Sequence, residues 1–398
     1  MRRRAFVDHI VSATVAITAR GEERIRRGHP WIYRADVLRA DAAGGETVTI
    51  VGPRQRRLGQ ALYSDRSQIA LRVLTRGDGA AGLDLWRQRL DQAIGFRERL
   101  GIDASAYRLV HGEADLLPSL VVDRYDRWLV VQALAQGTDR LLPEITAMLV
   151  ERLRHDGILA RNDPRVRLLE GLERTVTVLY GDVPELVSVH ENGVRLEVSL
   201  RQGQKTGLFL DQRENRAAAA TYARGRVLDC FSYNGGFALA AAPRAEEVVA
   251  LDSSADAVAR IGRNAALNGR SNVSAREANV FDELRQLERA GERFDTIVLD
   301  PPAFAKNKTA VPKAVAGYKE INLRALRLLN RGGTLVTCSC SYNIDEALFL
   351  DIVHDASLDA HCAVTVLEKR MQGRDHPVLM GVPETYYLKC LIVRKIDA

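Results

Sequence analysis

The sequence predicts an α/β protein in three parts: a small β-barrel over residues 1–76, an α+β unit over 77–185, and a doubly wound, mainly parallel sheet over 186–398. Three observations carry this. Residues 14–75 fall into short runs, TVAIT, ETVTIV, QALYS and IALRVLT, with turn residues between them, the spacing of a small barrel. GDGAAG at 77–82 reads as a linker, after which Leu83, Trp86, Leu90, Ile94 and Leu100 recur at helical spacing. From about 186 apolar strands alternate with helical stretches, a rhythm that packs as a parallel sheet with helices on both faces.

Within the middle unit, strands are expected near 107–111, 118–123 and 128–134, a helix over 141–154, and further strands near 158–161 and 175–179. The last unit runs RLEVSL, GQKTGLFLDQRENR, RVLDCFSYNGGF, VVALDSS, NVSAREANV, FDTIVLDPP and GGTLVTCSCS, with helices over 214–223, 254–267 and 315–330. There is no internal repeat or low-complexity tract.

Composition removes several function classes. The 398 residues are 46% hydrophobic, enough for a folded core, yet no apolar run reaches the ~18 residues of a membrane span. The basic N-terminus lacks the long apolar core of a signal peptide. Five cysteines, an odd number, form no CxxC pair, which argues against a disulfide scaffold or zinc ribbon and fits a reducing cytoplasm. The eight histidines are scattered without ligand spacing, so no metal is expected.

Charge is uneven. Residues 1–76 hold 15 Arg, no Lys and 7 acidic residues, a net of +8 against +6 for the whole chain. A basic module on a near-neutral body points to a polyanion-binding appendage; a solvated Arg-rich face is the plainer reading. Phosphate-contact candidates are Arg2, Arg3, Arg4, Arg24, Arg26, Arg27, Arg54, Arg56 and Arg57. Trp31 and Tyr33 suit base stacking, although barrel core is the commoner fate of such residues.

Parallel sheets bind ligands beyond the carboxyl ends of their strands. Here the strand ending at Asp229 runs into Cys230-Phe231-Ser232-Tyr233-Asn234-Gly235-Gly236, where glycine lets backbone approach a ligand. The next strand ends at Asp252-Ser253, a carboxylate able to accept both hydroxyls of a ribose. Asn279-Val280-Phe281 offers a polar group for an adenine amine and a ring to pack on the base. Any one of these turns is common in α/β proteins; together they describe a nucleoside site. The loop lacks the GxGxxG that cradles a pyrophosphate, which counts against NAD.

These residues resemble the motifs of class I S-adenosylmethionine-dependent methyltransferases. The stretch Gly203-Gln204-Lys205-Thr206-Gly207-Leu208-Phe209-Leu210-Asp211-Gln212-Arg213 is similar to the signature that precedes the sheet in bacterial large-subunit (23S) ribosomal RNA 5-methylcytosine methyltransferases. Gly28-His29-Pro30-Trp31-Ile32-Tyr33 resembles that family's PUA segment, and His111-Gly112-Glu113-Ala114-Asp115 with Leu120-Val121-Val122-Asp123-Arg124-Tyr125 resembles its middle domain. The resemblance covers nearly the whole chain. It implies S-adenosylmethionine as cofactor, held by Lys205, Thr206, Asp211, Arg213, Asp229, Ser232, Tyr233, Gly235, Gly236, Asp252, Ser253, Asn279, Val280, Phe281 and Asp300. It also implies ribosomal RNA as partner and a homodimer. The family often has Asp where this chain has Asn279, whose carbonyl can still accept from an amine.

Carbon 5 of cytosine is a poor nucleophile. A thiolate adding to carbon 6 makes carbon 5 enamine-like, so the chemistry needs an activated cysteine beside the cofactor. Asp300, at the end of FDTIVLD and before Pro301-Pro302, is placed to hold the ring nitrogen and amine. Cys338 and Cys340, two residues apart, share one face of a strand. The family's Ser-Cys-Ser matches Ser339-Cys340-Ser341; two-cysteine enzymes carry Thr-Cys-Ser, which Thr337-Cys338-Ser339 fits literally, but the spacing to Asp345-Glu346 favours Cys340 as the nucleophile, with Cys338 and a structural thiol as the alternatives. Two-cysteine enzymes carry a second Cys after the Pro-Pro, where this chain has Ala303, so a single-cysteine route is implied. Lys306, Lys308, Lys313 and Lys319 cluster after this loop and suit phosphate contacts. Rival readings are methylation of another RNA atom such as a guanine nitrogen, an RNA-binding assembly factor without turnover, and, weakest, a small-molecule methyltransferase.

Overall fold

The computed structural model describes residues 13–305 and 307–396, so Arg2, Arg3, Arg4 and Lys306 lie outside the described residues. The N-terminal part is one six-stranded sheet, ordered Trp31–Tyr33, Ile69–Arg76, Arg57–Tyr63, Thr47–Val51, Thr14–Ile17, Val37–Asp41. Only the pairing of Thr14–Ile17 with Thr47–Val51 is parallel. Alternation sends Ile32 into a core of Val15, Ile17, Val48, Ile50 and Leu71, and leaves Trp31 and Tyr33 half-buried on the other side. Neither aromatic is therefore barrel core. Trp31 donates its indole N–H to Glu113 of the middle part at 3.1 Å, and the Arg24 guanidinium lies 4.6 Å from the centre of the Tyr33 ring.

The sequence reading saw only strands here, whereas Ala19–Arg26 is a helix. Its signal is local: Thr18 caps it by accepting from the Gly21 N–H at 3.1 Å, and Ile25 is its one large buried contact. A two-turn helix shows too little periodicity to stand out among short strands.

The middle part has a five-stranded sheet, ordered Thr175–Gly181, Gly157–Asn162, Trp128–Ala133, Leu120–Tyr125, Ala106–His111. The helices Leu83–Arg99 and Leu142–Arg152 bury Trp86, Leu90, Ile94, Ile145 and Leu149 with it. A hairpin, Leu186–Glu191 with Val194–Ser199, leads to the final sheet.

That sheet has seven strands, ordered Val273–Glu277, Glu247–Asp252, Arg226–Cys230, Phe294–Leu299, Leu329–Ser339, Lys389–Ile396, Ala363–Arg370. The first five are mutually parallel; Lys389–Ile396 runs antiparallel to them, and Ala363–Arg370 pairs antiparallel with it at the edge. The chain starts at Arg226–Cys230, winds outward one way, then returns to place Phe294–Leu299 on that strand's other side. Strand order reverses between these two strands, the position at which doubly wound sheets open a ligand crevice. Helix Val311–Leu328 begins earlier than expected because Pro312 suits the first turn, where no N–H is needed.

Candidate active site

A cavity of about 420 Å³ opens at this reversal point, within the size range of small-molecule sites. Its floor is the loop after Arg226–Cys230. Phe231, Tyr233 and Gly235 all take positive φ (64°, 52° and 81°), so the chain turns sharply and brings backbone to the cavity wall. A Cβ on Gly236 would lie 2.8 Å from Cδ of Arg216, a buried guanidinium paired to Glu191 at 2.6 Å. The glycine thus permits close packing of loop against helix Arg213–Tyr222.

Asp229 lies beneath this loop, 1% exposed. Its Oδ2 accepts from the Ser232 hydroxyl and, at 3.0 Å, from the Ala238 N–H. Burial pushes its carboxyl up to about 7 against those two hydrogen bonds. Asp252 accepts the Tyr233 N–H at 2.9 Å and the Ser254 N–H at 3.0 Å, one on each oxygen, which leaves lone pairs for a diol. Asn279 caps helix Val280–Arg289 by accepting the Phe281 N–H at 3.0 Å. Its carbonyl is therefore shared with the helix rather than reserved for an adenine. Ser232, Tyr233, Gly236, Asp252, Ser253, Asn279, Val280 and Phe281 all line the cavity. Gly235 shapes the floor from below.

The opposite end is acidic and carries the sulfur. Asp300, Pro301, Pro302 and Ala303 follow Phe294–Leu299; Cys340 follows Leu329–Ser339; Lys205, Asp211 and Gln212 descend from the segment before the sheet. Cys340 is partly exposed, with its thiol 3.8 Å from the Pro301 carbonyl oxygen. Burial and the nearby Asp300 carboxylate push the thiol up to about 11, while the ammonium groups of Lys205 and Lys389 pull it back. Lys389 is itself buried, donating to the Ser341 and Tyr387 carbonyls at 2.8 and 2.9 Å, and burial brings it down to about 8. Burial, reinforced by the negative charge of Asp211, raises Asp300 to about 6, and Gln212 donates to its Oδ1 at 2.8 Å.

Cys338 has a different setting. It is fully buried in an apolar cluster with Val336, Cys390 and Ile392, directly opposite Cys390 on the antiparallel neighbour strand. A continuous strand would put Cys338 and Cys340 on one face, but the strand ends at Ser339, and of the two only Cys340 lines the cavity.

Two residues of the GQKTGLFLDQR stretch turn away from the cavity. Thr206 is buried against the middle part, donating to Asp123 Oδ2 at 2.6 Å and lying 3.0 Å from the Tyr125 hydroxyl. Arg213 is held in a buried ion pair with Asp375 at 2.9 Å. Both secure the segment that presents Lys205 and Asp211 rather than facing a ligand. Of the lysine cluster, Lys308 and Lys313 are exposed, while Lys319 is paired with Asp359 at 2.9 Å. Gln212, Arg216 and Lys389 were not singled out in the sequence. Gln212 adjoins Asp211 in the quoted motif, but Lys389 reaches the site only through strand pairing. No group of three or more His, Cys, Asp or Glu among the described residues is arranged to hold a metal ion, and no helix among them is long and apolar enough to cross a membrane.

The model of the S-adenosylmethionine-dependent methyltransferase family matches residues 130–385, and that of PUA-like domains matches residues 15–76. The chain belongs to the S-adenosylmethionine-dependent methyltransferase family. A protein named ribosomal RNA large subunit methyltransferase I from Tolumonas auensis is 42% identical to this methyltransferase, over 97% of this chain and 100% of its own length. A protein of the same name from Erwinia tasmaniensis is 39% identical over 96% and 99%. Among solved structures, a methyltransferase complexed with SAH superposes with a TM-score of 0.82 at 21% identity, over 96% and 99% of the two chains. A second, from Streptococcus mutans, gives 0.81 at 20% identity over the same shares. Those two establish the likeness of fold. The residues present fit the family's cofactor: a sharply turned loop that brings the Gly236 backbone to the cavity wall, a strand-end carboxylate with free lone pairs, and the Phe281 ring among the lining.

Proposed function

We propose that this methyltransferase modifies carbon 5 of a cytosine in 23S ribosomal RNA through a covalent adduct with Cys340. The observation that carries the reading is the thiol of Cys340 inside the cofactor cavity, beside Asp300 and across the strand reversal from Asp252. Its substrate class follows the name borne by relatives that match the chain end to end, together with the PUA-like module over residues 15–76 and the +8 charge of residues 1–76.

When bound, S-adenosylmethionine supplies an electrophilic methyl on a sulfonium sulfur. The target base must leave its stack to enter the cavity. The Cys340 thiolate adds to carbon 6, and the electron pair of the carbon 5–carbon 6 bond becomes available at carbon 5 for the methyl. Solvent water in the cavity then takes the carbon 5 proton, the electrons of that carbon–hydrogen bond re-form the carbon 5–carbon 6 double bond, and the carbon–sulfur bond breaks to return the thiolate. Asp300, raised to about 6, is present in both protonation states near neutral pH. Its acid form can donate to ring nitrogen 3 and draw density out of the ring as the thiolate adds. Lys205 and Lys389 stabilise the thiolate when it forms. Thr206 and Arg213 are proposed to position the Lys205–Asp211 segment; Ser232, Tyr233, Gly235, Gly236, Asp252, Ser253, Asn279, Val280 and Phe281 are proposed to hold the cofactor, with Asp229 supporting the loop from beneath.

The test is nucleoside mass spectrometry and site mapping of 23S rRNA from cells with and without the gene, followed by methylation of the mapped fragment in vitro. The expected product is 5-methylcytosine at a defined nucleotide. A methyl group on a guanine nitrogen, with Cys340→Ala fully active, overturns the reading.

A further inference from the structure

Asp211, a residue of the cavity lining, has one buried carboxylate oxygen that makes no hydrogen bond. Asp211 is 2% exposed and lines the site. Its Oδ2 is doubly used, accepting from the Lys205 ammonium and the Tyr387 hydroxyl, both at 2.6 Å. Its Oδ1 is buried and makes no hydrogen bond. A buried ionised oxygen without a donor is costly, so a ligand that brings an N–H or O–H to it is strongly favoured.

The neighbours say what kind of ligand. Asp211 sits at the sulfur end of the cavity: its charge is felt by both Cys340 and Asp300, and its partner Tyr387 lies two residues from Lys389, in the strand that pairs with Leu329–Ser339. The diol-binding end, at Asp252 and Phe281, is on the other side of the reversal. Burial alone would raise the Asp211 carboxyl, but the charges of Lys205 and His376 and the two hydrogen bonds hold it well below the usual carboxylate range. An ionised carboxylate accepts only. The adjacent Gln212 cannot change that: its amide N–H₂ goes to Asp300, and its carbonyl accepts from Asn215 at 2.7 Å. The sulfur end therefore presents an acceptor, Asp211 Oδ1, beside a carboxyl that can protonate, Asp300.

A cytosine whose carbon 6 faces Cys340 shows an acceptor at nitrogen 3 and a donating amine at position 4; uracil shows a donor and an acceptor. We propose that Asp211 accepts the exocyclic amine of the target cytosine through Oδ1 and is the residue that excludes uracil. The assignment rests on the cytosine carbon 5 reading above. With uracil, oxygen 4 would face an acceptor that cannot turn away, because both donors on Oδ2 fix the carboxylate. The exclusion is thus built by repulsion as well as by the loss of a hydrogen bond.

The test uses the full-length enzyme and the mapped rRNA fragment, synthesised with cytosine, uracil or 2-pyrimidinone (cytosine without its amine) at the modified position. Wild-type kcat/KM should fall at least thirtyfold from cytosine to either analogue. Asp211→Asn should lose at least thirtyfold on cytosine and less than threefold on pyrimidinone. Its amide can donate to oxygen 4, so its relative rate on uracil should rise at least tenfold. Affinity for S-adenosylmethionine by calorimetry should change less than threefold. A tenfold loss of cofactor affinity with an unchanged cytosine-to-uracil ratio overturns the proposal and makes Asp211 a cofactor ligand. An equal loss on cytosine and pyrimidinone overturns it as a purely structural role. If Asp211→Asn does not fold, Asp211→Glu carries the same comparison, with a tenfold loss expected on cytosine alone. Absence of 5-methylcytosine from the wild-type product would instead sink the underlying reading, and mass spectrometry separates the two failures.

Discussion

The strand Leu329–Ser339 and the loop just beyond it hold two cysteines that differ in almost everything except chemistry. Cys338 is walled by Val336, Cys390 and Ile392 with no exposure. Cys340, one residue past the strand end, opens on the cavity between Asp300 and Lys205. Both thiols are raised: Cys338 chiefly through its hydrogen bond with Cys390 and then through burial, Cys340 through burial and then Asp300. Only the second has ammonium groups close enough to recover part of that cost on ionising. The lesson is that the end of the strand, not the residue type, separates a thiol packed in the core from one that lines the cavity.

The sharpest way to break this contrast is substitution. Cys340→Ala should lower methyl transfer by about a thousandfold or more, as loss of a covalent nucleophile does, while Cys338→Ala should keep at least a third of the activity; trapping of the enzyme on RNA containing 5-fluorocytosine should vanish only in the first. Next comes pH. With its thiol at about 11, Cys340 is protonated below that value, and its thiolate fraction rises about tenfold per pH unit. Alkylation of Cys340 by iodoacetamide should therefore climb without a plateau from pH 7 to 9; a plateau by pH 8 would show a thiol lowered below the ordinary cysteine range rather than raised above it. Lys389→Met removes one of the two stabilising charges and should slow that alkylation a few-fold at pH 8, an effect of less than about one pKa unit. The smallest effect belongs to the inner cysteine: Cys338→Ala should cost about 1 kcal/mol of stability by thermal unfolding, the scale of removing a small buried group from a packed core, and Cys338 should resist alkylation until the protein unfolds.

Much of the proposed site could be read from the chain because its candidate groups sit at strand ends, where motif and position coincide. Asp229, Asp252, Asp300 and Cys340 each follow an apolar run directly, and the parallel rhythm forces those ends to one edge. What escaped reading depends on pairing distant in sequence. Lys389 and Tyr387 come beside Cys340 and Asp211, behind the cavity lining, because Lys389 registers against Ser339. Thr206 and Arg213 lie in the most distinctive stretch of the sequence, yet face Asp123 and Asp375, and no local pattern distinguishes a side chain that grips a ligand from one that grips the protein. Asn279 is the intermediate case: its place at a strand end was legible, but its service as a helix cap was not.

The buried bonds from the Thr206 hydroxyl to Asp123 and from the Arg97 guanidinium to the Asp375 backbone carbonyl, with Asp375 paired in turn to Arg213, tie the segment carrying Lys205 and Asp211 to the sheet and helix that precede it in the chain. The reaction chamber is therefore shared property of two folding units. Excising the terminal sheet as a portable cartridge, or grafting it behind a foreign neighbour, would leave two of its working charges without anchorage; a chimaera that keeps activity must carry the seam from both sides.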